Sequence, residues 1–229
     1  MIKHVLLDLD DTILDFHRSE AESLCKALGS LGIEPCENLI KRYAEINDAQ
    51  WKRLERGEAT RDEILTERFA ELFREFSLKR DPRQMRTEYE AALSRSYFFI
   101  DGAVEMLKAL SREFNLYLAS NGTDSVQTGR IAASGIEKYF KDIFISERLG
   151  ANKPSVEYFR ACEKRIENFS REECIIVGDS LSSDILGGIR AGIKTCRFNP
   201  KCLPGCDEIK PDYEIRALCE LLPLLHSIE

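Results

Sequence analysis

Residues 5 to 14 read Val-Leu-Leu-Asp-Leu-Asp-Asp-Thr-Ile-Leu, an apolar run broken by carboxylates. A run of this kind predicts a strand buried on both faces, as in a parallel sheet. Beyond Leu14 the apolar positions recur with helical spacing for about eighty residues. Four amphipathic helices are predicted there, over 18–31, 37–54, 61–76 and 82–97. Gly32 and Gly57 punctuate them, and Asp81-Pro82 is a helix-start signal. Thr60-Arg61-Asp62-Glu63 has the form of a capping box ahead of Ile64 and Leu65. No strand pattern interrupts this stretch, so it reads as a small helical bundle.

From position 100 the pattern alternates. Helices are predicted over 103–112, 124–134, 156–165 and 183–190, with a last one over 216–226. Between them fall strands over 116–120, 143–145, 174–177 and 194–198. Such alternation implies right-handed βαβ units and a parallel sheet. The first strand could not be covered alone and must join that sheet. The expected fold class is therefore α/β: a Rossmann-like parallel-sheet core, residues 1–14 and 99–229, with an inserted helical-bundle cap domain, residues 15–98.

Composition narrows the partners. The formal net charge of -7 and a pI near 5.3 argue against nucleic-acid polymers and anionic membranes. A small anionic substrate stays open, because a local metal and lysine can outweigh the global charge. No apolar run approaches membrane-spanning length, and the first strand begins almost at Met1 with no leader before it, so a cytoplasmic location is expected. A monomer or weak dimer is expected as well. The eight cysteines form no CxxC pair and read as free thiols in a reducing compartment. Cys196, Cys202 and Cys206 cluster loosely, but no histidine lies nearby to complete a zinc site.

Candidate chemistry sits at the strand ends. Asp8, Asp10 and Asp11 close the first strand, and two carboxylates about 4 Å apart repel by about 4 kcal/mol at an effective dielectric near 20. A metal ion or a shared proton would relieve that cost; a turn that caps the next helix is the plainer alternative. The second strand ends in Ser120-Asn121-Gly122-Thr123, where a hydroxyl and glycine-freed amides could bind phosphoryl oxygens. Lys153 stands before Pro154 after the third strand, and Gly178-Asp179 follows the fourth, with Asp184 close behind. Each alone has an ordinary explanation in helix capping or a solvated lysine, though capping leaves Asp179 unexplained. In a parallel sheet all four fall at the same edge and converge on one crevice. Hard oxygen ligands, a hydroxyl and a lysine are the set needed for magnesium and a phosphate, and soft-metal ligands are missing there.

The four pieces in this order, Asp8-x-Asp10-x-Thr12, Ser120, Lys153 and Gly178-Asp179-x4-Asp184, resemble the haloacid dehalogenase (HAD) superfamily. The likeness covers the whole chain. The insertion between Leu14 and Ser120 is similar to the helical (C1) cap of subfamily I, and Asp11 stands where many relatives have glycine. The resemblance implies Asp8 as nucleophile, Asp10 as general acid and base, and Ser120 and Lys153 as holders of the phosphoryl oxygens. It implies Mg2+ held by Asp8, the Asp10 backbone carbonyl and Asp179, with Asp184 a ligand or a partner behind the ligands. Asp11, Thr12, Asn121 and Gly122 are added as phosphate-loop candidates. Relatives that remove halogens generally lack the second aspartate, so Asp10 favours phosphoryl chemistry.

The cap segments Ile46-Asn47-x3-Trp51, Gly57-Glu58-Ala59-Thr60-Arg61 and Thr66-Glu67-Arg68-Phe69 look like the pyrimidine 5'-nucleotidase branch. That makes Asn47 and Arg68 candidate substrate contacts; a cap-stabilising contact is the alternative for both, and bundle core for Trp51 and Phe69. The implied function is a Mg-dependent phosphatase acting through an aspartyl-phosphate on a small phosphorylated metabolite, foremost a pyrimidine nucleoside 5'-monophosphate. A phosphatase or phosphomutase for a sugar phosphate or phosphoglycolate, or a silent HAD-like binding module, is the alternative.

Overall fold

The computed structural model describes residues 1–228. Six strands, β1 (His4–Leu7), β2 (Asn115–Ser120), β3 (Asp142–Ile145), β4 (Cys174–Gly178), β5 (Lys194–Phe198) and β6 (Tyr213–Ile215), form one sheet in the order β3-β2-β1-β4-β5-β6. Every neighbouring pair is parallel. The sheet is therefore Rossmann-like, with β1 at its centre between β2 and β4.

Alternation along the strands builds two cores. Val5, Leu7, Leu116, Leu118, Ile175 and Val177 face α5 (Ala103–Leu110) and α10 (Leu221–Ser227). Leu6, Tyr117, Ala119, Cys174 and Ile176 face α8 (Val156–Glu163) and α9 (Leu186–Ala191). Two further core helices, α6 (Asp124–Ser134) and the short α7 (Ser146–Leu149), follow β2 and β3. Helix–sheet contact is tight at α9: a Cβ on Gly187 would lie 2.5 Å from the Phe159 ring, and one on Gly188 2.6 Å from Ile176 and Thr195. Glycine inside this helix costs about 1 kcal/mol in propensity, which the close approach offsets.

Between β1 and β2 lies the inserted cap, made of α1 (Phe16–Ser30), α2 (Glu37–Glu55), α3 (Arg61–Glu75) and α4 (Pro82–Leu93). Its own core is centred on mutually packed Tyr43, Phe69 and Tyr89, with ring centroids 5.2–5.4 Å apart. The capping box forms: Thr60 N–H donates to Glu63 Oε2 at 2.8 Å, and Glu63 N–H to Thr60 Oγ1 at 3.4 Å. The two crossings between cap and core run side by side. Asp15 N–H donates to Phe98 O at 2.8 Å, and Ile100 N–H to Ile13 O at 3.0 Å.

Apart from shifts of about two residues at helix ends and the short α7, which the sequence pattern does not predict, three elements differ from the sequence expectation. Helix α4 stops at Leu93 rather than 97, because the return crossing needs extended backbone to pair with the outbound one. A π-helical turn at Leu181–Ile185 precedes α9 where one regular helix was expected. The tail begins with the edge strand β6 and a 3-10 turn at Leu218–Glu220, and α10 starts only at Leu221. A three-residue edge strand carries too little periodicity to stand out from a helix start.

Candidate active site

The C-terminal edge of the sheet gathers the predicted charges. Asp8 follows β1, Ser120 ends β2 and Asp179 follows β4. Lys153 reaches in from the loop after α7 and is fully satisfied. Its Nζ donates to Asp8 Oδ1 at 2.6 Å, Asp184 Oδ1 at 2.6 Å and Ala119 O at 2.7 Å, using all three donors of an ammonium. Lys153 and Asp184 are each 1% exposed. Burial alone would lower the Lys153 pKa, but Asp184 and Asp8 outweigh it and hold the ammonium above its ordinary value. Asp184 in turn fits only because residue 178 is glycine, since a Cβ there would lie 2.2 Å from Asp184 Oδ2.

One ammonium does not balance this cluster. Burial pushes the Asp8 carboxyl well up, with Asp184, Asp179 and Asp10 adding to the effect against the pull of Lys153. Burial likewise pushes Asp179 up to about 8, helped by Asp184 and Asp11. Asp8, Asp179 and Asp184 each offer a carboxylate oxygen within 4.8 Å of the others. Surplus negative charge, hard oxygen donors and that spacing fit a divalent cation. Cys202 and Cys206 are exposed while Cys196 is buried, and among the described residues no metal-ligating group forms around them.

Asp10 is held by residues the sequence reading did not single out. Arg130 Nη1 donates to Asp10 Oδ1. Gln127 Nε2 donates to Asp10 Oδ2 at 2.6 Å and to Ser120 Oγ at 2.8 Å. The guanidinium is anchored by Nε donating to Ser96 O at 3.2 Å, on the return crossing. Gly122 leaves the room: a Cβ there would sit 2.3 Å from Gln127 Nε2. A signal was present, since Val126, Gln127, Arg130 and Ile131 share the buried face of α6, and two polar residues within such a stripe need partners.

The remaining candidates divide. Asn121 ties two strand ends together, accepting from Lys153 N–H at 2.8 Å and donating to Lys153 O at 2.9 Å. Gly122 N–H points at Ser120 Oγ, 3.2 Å away. Asp11 borders the cavity, but its carboxylate accepts from Phe16 N–H at 2.9 Å and so caps α1. Its φ of +58° explains why glycine suits this position. Thr12 is fully buried with its hydroxyl unpartnered and is not part of the cavity wall. Asn47 is likewise not at the wall; it sits inside the cap, donating to Glu20 Oε1 at 2.7 Å and accepting from Arg68 Nη1 at 2.8 Å. Arg68 does reach the wall. Phe69 is cap core, whereas Trp51 borders the cavity.

The cap closes over this edge and leaves a cavity of about 240 Å3. Its floor is Asp8, Asp10, Ser120, Lys153 and Asp179; its roof includes Trp51, Leu65, Arg68 and Glu90. Among the described residues no helix is long and apolar enough to cross a membrane.

Known proteins share this layout. Over 222 residues the chain is 40% identical to the HAD-hydrolase YfnB of Bacillus subtilis, covering 97% of this chain and 94% of that protein. A crystal structure of YfnB, bound to magnesium and described as revealing interdomain movement, matches with a TM-score of 0.94 over 98% of each chain. The pyrimidine 5'-nucleotidase PynA of Streptococcus pneumoniae is 36% identical, with 97% of this chain and 94% of PynA covered. The pyrimidine 5'-nucleotidase YjjG of Escherichia coli is 28% identical, with 96% of each covered. A model of the haloacid dehalogenase-like hydrolases matches residues 2–192. With a family model matching residues 2–192 and a 40% identical relative of matching fold, the chain belongs to the haloacid dehalogenase-like hydrolase family.

Proposed function

We propose that this hydrolase is a magnesium-dependent phosphatase that works through an aspartyl-phosphate, with a pyrimidine nucleoside 5'-monophosphate as its foremost substrate. The observation that carries the reading is Asp8 at the floor of the cavity between cap and core, 2.6 Å from the Lys153 ammonium and beside a second carboxyl on Asp10. A carboxylate oxygen of Asp8 attacks phosphorus. The bond from phosphorus to the leaving oxygen breaks with its electron pair, and that oxygen takes a proton from Asp10. Water then attacks phosphorus and gives a proton back to Asp10, and the bond from phosphorus to Asp8 breaks to restore the carboxylate. Arg130 and Gln127 orient Asp10, while Ser120 Oγ and Lys153 Nζ, the latter turning to the substrate the donor it gives Asp8 here, hold phosphoryl oxygens as charge spreads over them.

Asp8 and Asp179, with the Asp10 carbonyl that the family resemblance implies, would hold magnesium, which would neutralise the carboxylates facing an anionic substrate. Both Asp184 oxygens already accept hydrogen bonds, from Lys153 Nζ and from Ser180 N–H at 3.2 Å. Asp184 therefore also serves to seat the lysine. The nucleotide assignment is supported by the names carried by PynA and YjjG. A roof with one indole face, apolar Leu65, the Arg68 cation and carboxyl groups on Asp48, Glu55 and Glu90 suits a flat, polar-edged base. Movement between cap and core, the property ascribed to the YfnB structure, would admit substrate and then exclude water.

A phosphate-release screen over nucleotides, sugar phosphates and phosphoglycolate tests the assignment. Pyrimidine monophosphates should lead, chelator should remove activity and magnesium restore it. A screen led by a hexose phosphate or phosphoglycolate defeats the nucleotidase assignment, and full turnover after exhaustive metal removal defeats the metal requirement.

A further inference from the structure

Arg61 belongs to the cap, at the first position of α3, yet its guanidinium is committed to the core. Nη1 donates to Asn121 O at 2.8 Å, and Nη2 to Ser146 Oγ at 2.6 Å and Asn152 Oδ1 at 2.5 Å. Its centre lies 5.5 Å from the Trp51 ring. All three acceptors are neutral. A partly desolvated cation held by neutral oxygens costs more than one left in water unless its geometry is well met, so this is not the resting place of an ordinary surface arginine. The side chain is not part of the cavity wall. What it touches flanks the phosphate-facing groups: Asn121 follows Ser120, Asn152 precedes Lys153, and Asn121 exchanges two hydrogen bonds with Lys153. A second cap side chain also spans the gap, where Glu55 Oε2 accepts from Ser182 Oγ at 2.9 Å.

We propose that Arg61 is a positioning residue, a clasp that holds the cap closed and fixes the Ser120 and Lys153 loops in register when it does so. The catalytic consequence rests on the phosphatase reading above; the conformational one does not. Closure and the phosphate grip are thereby completed by one side chain. Because Arg61 stays outside the cavity, its loss should affect substrates without regard to what the phosphate carries.

The test uses the full chain with Arg61→Met and Arg61→Lys, and Asn152→Ala as a core-side variant that leaves the cap sequence intact. Two readouts are taken: kcat/KM on an aryl phosphate and on a pyrimidine monophosphate, and the cap-to-core distance distribution between two spin labels without substrate. Arg61→Met should lower kcat/KM by about tenfold or more, by the same factor on both substrates, since a hydrogen bond to a charged group is at stake. It should also broaden the distances toward an open form. Arg61→Lys should recover part of both, and Asn152→Ala should show the same pattern more weakly, which keeps the test alive if the methionine variant does not fold. An unchanged distance distribution in an active protein, or a loss confined to nucleotides, overturns the clasp. Distances widened by Arg61→Met, in a protein whose wild type shows no phosphatase activity, would leave the clasp standing and sink the phosphatase reading instead.

Discussion

The core and the cap each bury a polar network, and the two are balanced differently. In the core, Lys153 is shared between Asp8 and Asp184, Arg130 pairs with Asp10, and Asp179 adds a fourth carboxyl, so negative charge is in surplus. In the cap, Asn47 bridges Glu20 and Arg68, Arg68 lies 4.0 Å from Glu90 with its guanidinium 5.0 Å from the Phe69 and Tyr89 rings, and Arg86 pairs with Glu90 at 2.9 Å, so two cations meet two carboxylates. That network closes on itself and shows the cavity Arg68 and Glu90. An unbalanced buried cluster is built to receive a charged ligand, whereas a balanced one is built to hold a shape.

The contrast breaks most severely at Lys153. Lys153→Met removes the cation between two buried carboxylates, which should cost about 3–5 kcal/mol of stability. It should also lower kcat on the order of a hundredfold to a thousandfold through loss of a phosphoryl-oxygen donor. Thermal melts and phosphate release read both. Adding Asp8→Asn should return part of the lost stability without returning activity. A Lys153→Met protein as stable as wild type would mean the core cluster is not under electrostatic load.

Arg68→Ala sharpens the comparison from the cap side. Removing a guanidinium hydrogen-bonding partner from the cavity roof should lower kcat/KM for pyrimidine monophosphates by about tenfold, while aryl phosphates stay within about twofold. Parallel loss on both would place Arg68 with Arg61, as a residue of cap geometry and not of substrate choice.

The smallest effect concerns Glu20, whose carboxyl is pushed from 4.5 up to about 7 by burial, against the pull of Arg68 and the Asn47 hydrogen bond. A raised carboxyl pKa gives stability that is complete below 4.5 and lost as pH rises through about 7. Glu20→Gln lacks that loss. Melting temperatures of the variant and wild type should therefore diverge in the variant's favour between pH 4.5 and 7. A constant offset across this range would show that Glu20 is ionised throughout.

What could be read in the sequence follows the same division. The core motifs were legible because short strands that end in Asp8, Ser120 and Asp179 put chemistry at one edge by topology alone. Arg130 and Gln127 were not, because a helix pattern does not say which acid a buried arginine meets 120 residues away. Asn47 looked like a substrate contact, but helix packing set it against Glu20, 27 residues distant, and no local spacing encodes that meeting. Asp11 shows the reverse: the plainer reading, a turn that caps α1, describes its side chain.

The central claim is that Asp8 becomes phosphorylated during turnover. Rapid acid quench of the enzyme with magnesium and its best substrate, followed by peptide mass spectrometry, tests it directly. The account predicts a phosphoryl adduct on the peptide that contains Asp8, lost on chase and missing in Asp8→Asn. Rapid turnover with no adduct on any carboxylate at any quench time, together with near-normal activity of Asp8→Asn, would contradict it.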